Sequence, residues 1–299
     1  MVWKLTTLIE NHGDKEGVLA CEHGLSVLIE GEGFRMLMDT GQSGAFYENA
    51  EKMGLSLADL DCLLLSHAHY DHTGGLFRLI NRGSMPKKVY VGRHFFRKCY
   101  HRKADGHMKF IGMKFDRQIL HELGVPVEEI CTDSLDIAGG VTLYRNFEQI
   151  TDYEKLNPDF FYQEEDSVCA PFGRCADSLN YIPDSFEDET AVALDTGEGL
   201  FVVAGCSHPG IVNILTTISA RSGRKICGVI GGTHLVDADE TRVRKTAEDF
   251  KKLGIRYVGV SHCTGDQNLR ILKECFGEGF VFNCTGNVIE LSWQLSGLS

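Results

Sequence analysis

Six consecutive residues, His67-Ala68-His69-Tyr70-Asp71-His72, hold three imidazoles and a carboxylate. Each of those four side chains can give a lone pair to a divalent cation, and without an obvious thiolate the set suits zinc foremost, with manganese or iron also compatible. The cluster follows the apolar run Cys62-Leu63-Leu64-Leu65 and precedes Thr73-Gly74-Gly75. It therefore stands where a buried strand runs out into a loop, and the two glycines let the backbone turn closely into a helix. A solvated turn would use Ser, Asn and Lys instead of His, so the cluster reads as a metal site, with His67, His69, Asp71 and His72 as ligands.

The elements that must carry such a site alternate along the chain. Val2 to Ile9, Leu25 to Glu30 and Phe34 to Met38 read as strands, the last two joined by a tight hairpin at Gly31-Glu32-Gly33. Ser43 to Met53 reads as a helix capped by Ser43 and ended before Gly54. Then come strand Cys62 to Leu65, helix Gly75 to Ile80, strand Lys88 to Val91 and a helix near Phe95. After Asp188 the pattern resumes, with strands Ala191 to Leu194, Leu200 to Val203, Ile226 to Ile230, Tyr257 to Val260 and Phe280 to Phe282. The helices among them are Ile211 to Ala220, Glu240 to Leu253 and one after Asp266. Strands repeatedly followed by helices define an α/β layer structure.

Four of the buried-strand patterns end in a histidine: His67, His208, His234 and His262. Sites in α/β folds collect at the carboxyl ends of strands, so these endings bring their imidazoles to one edge. His208 and His262 join the ligand set on that ground, and His234 stands as a further candidate. Between Phe147 and Asp188 no period is sustained, and acidic and aromatic residues mix around three prolines. We expect a single domain over residues 1–299 with a lid or insert at about 147–188, in which Cys169 and Cys175 are expected to remain reduced.

Composition narrows the function classes. A formal charge of -12 disfavours nucleic acid. The basic stretch Arg93, Arg97, Lys98, Arg102, Lys103, Lys109 lacks aromatic interleaving and reads as a solvated helix face. No apolar run approaches the roughly 20 residues of a membrane span, and the N-terminal residues do not resemble a secretion signal, so a cytoplasmic protein with a small-molecule substrate is expected. Eleven cysteines without CxxC spacing do not form a disulfide framework.

His67, His69, Asp71 and His72 match the HxHxDH motif of the metallo-β-lactamase superfamily, which the chain resembles over nearly its whole length. Met38-Asp39-Thr40-Gly41 resembles the early Asp-containing turn of that family. His23-Gly24-Leu25-Ser26, Gly205-Cys206-Ser207-His208-Pro209-Gly210-Ile211, Gly231-Gly232-Thr233-His234-Leu235 and His262-Cys263-Thr264-Gly265 resemble the branch named for a dihydropterin-ribofuranosylaminobenzene-phosphate synthase. The resemblance implies an αβ/βα four-layer sandwich with two divalent ions, His67, His69 and His208 on the first and Asp71, His72 and His262 on the second. The family's bridging Asp is absent in its usual form, which leaves Glu189, Asp188 and Cys206 as candidates for that position.

A divalent ion lowers the pKa of bound water from about 15.7 toward about 7, supplying hydroxide at neutral pH, and a second ion can polarise a carbonyl or phosphoryl oxygen. The expected activity is metal-dependent hydrolysis of a small, anionic ester, phosphoester or lactone, with Asp71 as the catalytic residue that orients the hydroxide and shuttles a proton. The branch resemblance implies an alternative, a pterin-type transferase that forms a C–N bond and releases diphosphate. A non-catalytic or iron redox module on the same ligands is an alternative of another class.

Overall fold

The computed structural model describes residues 2–163 and 180–291. In chain order its first half contains β1 (Trp3–Ile9), β2 (Ser26–Gly31), β3 (Phe34–Met38), α1 (Ala45–Lys52), β4 (Cys62–Leu65), α2 (Tyr70–Thr73), α3 (Leu76–Asn81) and β5 (Val89–Val91). These are followed by β6 (Lys98–Arg102), β7 (Met108–Phe110), α4 (Arg117–Glu122), β8 (Val127–Glu129), β9 (Ser134–Ala138), β10 (Val141–Arg145), β11 (Phe160–Gln163) and β12 (Ile182–Pro183). The remainder is β13 (Thr190–Asp195), β14 (Leu200–Ala204), α5 (Ile211–Ser222), β15 (Ile226–Gly232), α6 (Glu240–Lys252), β16 (Tyr257–Ser261), α7 (Asp266–Phe276) and β17 (Val288–Leu291).

Two large sheets result, one in the order β17-β1-β2-β3-β4-β5-β8 and one in the order β16-β15-β14-β13-β10-β9. Three apolar clusters assign the layers. One contains Leu5, Val27, Met36 and Leu64 from the first sheet together with Val192, Phe201 and Val203 from the second, so the sheets pack face to face. A second cluster joins the other face of the first sheet, through Leu8, Leu28 and Leu63, to Phe46, Leu76 and Leu79 of α1 and α3. The third joins Val202, Val229 and Val258 to Ile214, Phe250 and Leu272 of α5, α6 and α7. This is the four-layer αβ/βα sandwich.

Local chemistry accounts for the helices that flank it. On α6, Val243, Thr246, Ala247 and Phe250 fall at i, i+3, i+4 and i+7 and are buried, and Asp239 caps the first turn by accepting from Arg242 N at 2.8 Å. Removing the Phe250 ring would cost about 3–5 kcal/mol, the usual range for emptying a core aromatic site. At the start of α5 the buried Glu154 carboxylate accepts from Val212 N and Asn213 N, at 3.0 and 2.8 Å, and fills the capping role.

Several local expectations give way. Phe95 lies in a turn that also holds Arg93 and Arg97, not in a helix, and the rest of the basic stretch (Lys98, Arg102, Lys103, Lys109) belongs to the β6–β7 hairpin of a small sheet, β12-β11-β6-β7. The charges are therefore spread over a turn and a two-stranded ribbon and do not line a helix face. Phe280 to Phe282 forms no strand, only an isolated bridge from Phe280 to Val258. Gly44, not Ser43, occupies the cap position of α1, although the Ser43 hydroxyl accepts from Ala45 N at 3.2 Å. Gly74 and Gly75 have ordinary helical φ of -66° and -85°; what they supply is space, because a Cβ at either would sit 2.2 Å from a carbonyl oxygen of the 40–43 segment.

Of the expected insert, residues 147–163 and 180–188 are described and 164–179, with Cys169 and Cys175, lie outside the described residues. The described part is ordered by tertiary contacts: Tyr153 donates to Asp249 at 2.7 Å, and Phe160 and Phe186 are buried. Among the described residues no helix is long and apolar enough to cross a membrane.

Candidate metal centre

The parallel strands β4, β14, β15 and β16 deliver the site residues at their carboxyl ends, two of the strands' sheets meeting along one edge. His67 and His69 leave β4; Asp71 and His72 form the first turn of α2; Cys206 and His208 follow β14; His262 follows β16. All seven are buried, the most exposed being His208 at 7%.

Their donor atoms converge in two groups. Asp71, His72, Cys206 and His262 each offer an atom within 4.8 Å of the others, and so do His67, Cys206 and His208. Within the first group His72 Nε2 lies 3.2 Å from Cys206 Sγ and 3.3 Å from His262 Nε2, and Asp71 Oδ2 lies 3.3 Å from His262 Nε2. His69 belongs to neither group; its Nδ1 is 3.1 Å from His67 Nε2, and its ring centroid is 4.8 Å from that of His208. Cys206 alone belongs to both groups.

Glu189 and Asp188 are occupied elsewhere. Glu189 accepts from the backbone N of Ser207 and of His208, at 2.7 and 3.2 Å, and so shapes the loop that presents Cys206 and His208. Asp188 Oδ2 accepts from Ala68 N at 2.9 Å and braces the loop between His67 and His69. His234 lies beside His208, ring centroids 4.4 Å apart, but in neither donor group.

Other side chains fix the imidazoles. Ser66 Oγ is 2.9 Å from His67 Nδ1, Asp39 Oδ2 is 2.6 Å from His72 Nδ1, and Asn11 Oδ1 is 2.9 Å from His262 Nδ1. Each partner engages Nδ1 and leaves Nε2 facing the centre, the arrangement that sets a ligating tautomer. Glu10 accepts the backbone N–H of His262, and His23 Nε2 lies 3.1 Å from Asp71 Oδ2 with its ring stacked on His262. Apart from Asp39 and His23, which stand within family-like strings, these supporting residues escape a search for histidine-ended strands. Glu10 and Asn11 nevertheless follow β1 at the same edge, so extending that rule from His to Glu and Asn would have found them.

Burial holds the pKa of His67 and of His208 well below the ordinary imidazole value, and that of His69 down to about 3. These rings are neutral, as ligands must be. Burial pushes the Cys206 thiol up, with Cys263 adding to the effect, whereas the charge of a divalent cation would release that proton. Asp71, although buried, stays well below the usual carboxylate range because His72, His23 and His262 surround it. His208 Nε2 is buried without a hydrogen-bond partner among the described residues. An unpaired buried nitrogen costs about 1–3 kcal/mol, a cost relieved if a cation accepts its lone pair. The donor set fits a transition-metal centre.

Asp39, Ser207, His234 and His262 all have φ between 50° and 63°, the left-handed region that non-glycine residues seldom enter. Such strain, of order 1–3 kcal/mol each, concentrates where a site needs it. Gly205 shows the tightness: a Cβ there would meet Ser66 Oγ at 2.4 Å.

Above the centre lies a cavity of about 470 Å3. Phe160 lines it and stacks on His69, and the buried Phe186 stacks on His208 at 4.1 Å with 4° between the rings. His101, Lys103 and Lys109 of the β6–β7 hairpin face the same cavity, bringing part of the basic stretch to the site.

The model of the metallo-beta-lactamase superfamily matches residues 19–114. A 7,8-dihydropterin-6-methyl-4-(beta-D-ribofuranosyl)-aminobenzene-5'-phosphate synthase of Methanocaldococcus jannaschii is 29% identical over 293 residues, 96% of each chain. A solved metal-dependent hydrolase of the beta-lactamase superfamily is 28% identical, covers 97% of this chain and 99% of its own, and superposes with a TM-score of 0.80. The Bacillus subtilis metallo-beta-lactamase fold protein YhfI, 16% identical, covers 97% and 100% with a TM-score of 0.52 and shares the fold. The chain is thus similar to the metallo-β-lactamase superfamily in sequence at residues 19–114 and in fold over nearly its whole length.

Proposed function

We propose that this protein is a metal-dependent hydrolase of a small anionic molecule, cleaving a phosphoester or related ester. Its ligands would be His67, His69 and His208 for one divalent ion and Asp71, His72 and His262 for a second, with Cys206 between them. The observation that carries this reading is the meeting of both donor groups at Cys206 beneath a cavity faced by Lys103 and Lys109. A thiolate among imidazoles favours zinc over manganese.

Bound there, divalent ions supply Lewis acidity, which activates water near neutral pH and stabilises charge on a reacting oxygen. The residues of the chain do the rest. Lys103 and Lys109 attract and orient the anion, a role in which fixed cations matter more because the protein as a whole is strongly acidic. Phe160 excludes water from one side of the cavity. Asp71 can pass a proton to His23, whose half-exposed ring connects its carboxylate to solvent.

Metal analysis of the purified protein followed by turnover on phosphodiesters, phosphomonoesters, lactones and thioesters tests the proposal. We expect two equivalents of zinc and phosphoester turnover that His67→Ala abolishes while the fold persists. Full metal occupancy with no turnover on any of the four classes would overturn the hydrolase.

The likeness to the synthase over 96% of both chains favours a second reading. An arylamine would then attack a pterin methylene carbon: a C–N bond forms, the C–O bond to diphosphate breaks, and the amine loses a proton. Mixing a pterin diphosphate with an arylamine separates the two, since only the transferase gives a C–N product together with diphosphate.

A further inference from the structure

The turn Glu10-Asn11-His12 borders two cavities. Asn11 faces the metal centre, while His12 lines a separate cavity of about 320 Å3. One wall of this second space is a face of α7: Asp266, Leu269, Arg270 and Lys273 recur at i, i+3, i+4 and i+7. Phe280 and Phe282 form another wall; Phe282 is 49% exposed, and its ring stands edge-on to His12 at 5.1 Å.

The charges here run against those of the whole protein. Arg270 and Lys273 contribute two basic side chains, and hydrogen bonding to Glu10 pushes His12 up to about 9 against the opposing effect of burial. Asp266 is the one acid among the described lining residues, and His12 Nε2 engages it at 2.8 Å. Aromatic walls with cations at the edge suit a flat ring carrying negative charge, and the volume lies at the small end of the roughly 300–1,000 Å3 typical of ligand pockets.

We propose that this cavity binds a small aromatic anion, with its ring against Phe280 and Phe282 and its charge on Arg270 and Lys273, and that occupancy is transmitted to His262. The path is short. Glu10 Oε2 accepts from His12 N at 2.7 Å and lies 3.1 Å from His12 Nδ1, while its other oxygen holds the backbone N–H of His262. Asn11, between them, holds the His262 ring. An anion that draws His12 toward Arg270 changes how Glu10 and Asn11 hold His262, and by linkage metal at His262 changes the anion's affinity equally. The transmitted effect rests on the ligand role proposed above for His262; the binding itself does not.

The test uses the full chain, first free of metal. Calorimetric titration with benzoate is expected to show saturable one-to-one binding, with benzamide and inorganic phosphate much weaker. The surface variant Arg270→Ala/Lys273→Ala and the variant Phe282→Ala should each weaken it on the order of tenfold or more, and Lys109→Ala should leave it unchanged. No saturable binding, or binding that survives the α7 substitutions and is lost in Lys109→Ala, overturns the cavity assignment. Zinc affinity is then measured by chelator competition with and without benzoate. A several-fold shift in the parent that vanishes in the α7 variant supports the transmission, and an unchanged affinity overturns it. A protein that takes up no zinc overturns the metal proposal and the transmission together, while the first titration still decides the cavity.

Discussion

Replacing Asp39 by Asn tests whether the residues behind the ligands set the metal affinity. Asp39 follows β3, is fully buried, and accepts three hydrogen bonds: Ser66 N to Oδ1 at 2.7 Å, Ser66 Oγ to Oδ2 at 2.8 Å, and His72 Nδ1 to Oδ2 at 2.6 Å. An amide is nearly the same shape but has one accepting oxygen. If the oxygen keeps Ser66 N, the amide nitrogen faces His72 Nδ1, the ring must turn acceptor there, and its proton moves to Nε2, the atom aimed at the centre. If the oxygen keeps His72, Ser66 N is left buried without a partner, a cost of about 1–3 kcal/mol to the metal-free fold. Losses at partners of this kind are typically about 10–100-fold in metal affinity, or about 1.4–2.8 kcal/mol. Chelator competition followed by thermal unfolding measures both. We expect the second zinc, the one assigned to His72, to weaken by that factor while the first is less affected. A folded Asn variant that binds both ions within twofold of the parent would refute the reasoning.

Three further outcomes follow from the same geometry. Cys206→Ala should reduce bound zinc below two equivalents, and Cys206→Asp should restore stoichiometry while shifting preference toward manganese; unchanged stoichiometry in the Ala variant would remove Cys206 from the centre. Lys103→Ala and Lys109→Ala should raise KM for an anionic phosphoester on the order of tenfold each with kcat little changed, and an equal fall in kcat would mean that the lysines act on the reacting atoms instead. His12 has a folded-state pKa of about 9, above its ordinary 6.5, so the stability it contributes is fully present below pH 6.5 and is lost as pH rises through 9. Unfolding of parent and His12→Gln in chelator should accordingly differ most at pH 6 and converge by pH 10, and a gap that widens with pH would contradict the assigned shift.

The strand-end histidines are legible in the sequence because the signal is local: an apolar run such as Cys62 to Leu65 is buried at every position, and the first polar side chains after it emerge at the sheet edge. Strands β6, β7 and β9 lack that signal. They are short and mostly half-exposed, so neither alternation nor an apolar run marks them, and Lys103 and Lys109 look like ordinary surface charge until pairing brings them to the cavity. Which residue would stand between the two proposed ions was beyond a sequence reading for a different reason. Glu189, Asp188 and Cys206 are all plausible by type, and the choice among them depends on backbone that no residue pattern encodes. Ser207 at a φ of 63° follows Cys206, and Glu189 holds the loop by two amides, so the carboxylate is consumed in aiming the thiol. The same division recurs at His262, which the strand pattern identifies but Glu10 and Asn11 orient, and at His72, which Asp39 orients. The identity of the proposed ligands is thus written locally, whereas their orientation is written by residues that follow β1 and β3 or precede β13, brought beside them by strand pairing and, for Glu10 and Asn11 at His262, by the closing of the two sheets. A substitution in that second group should leave the motif intact and still weaken metal binding at the centre.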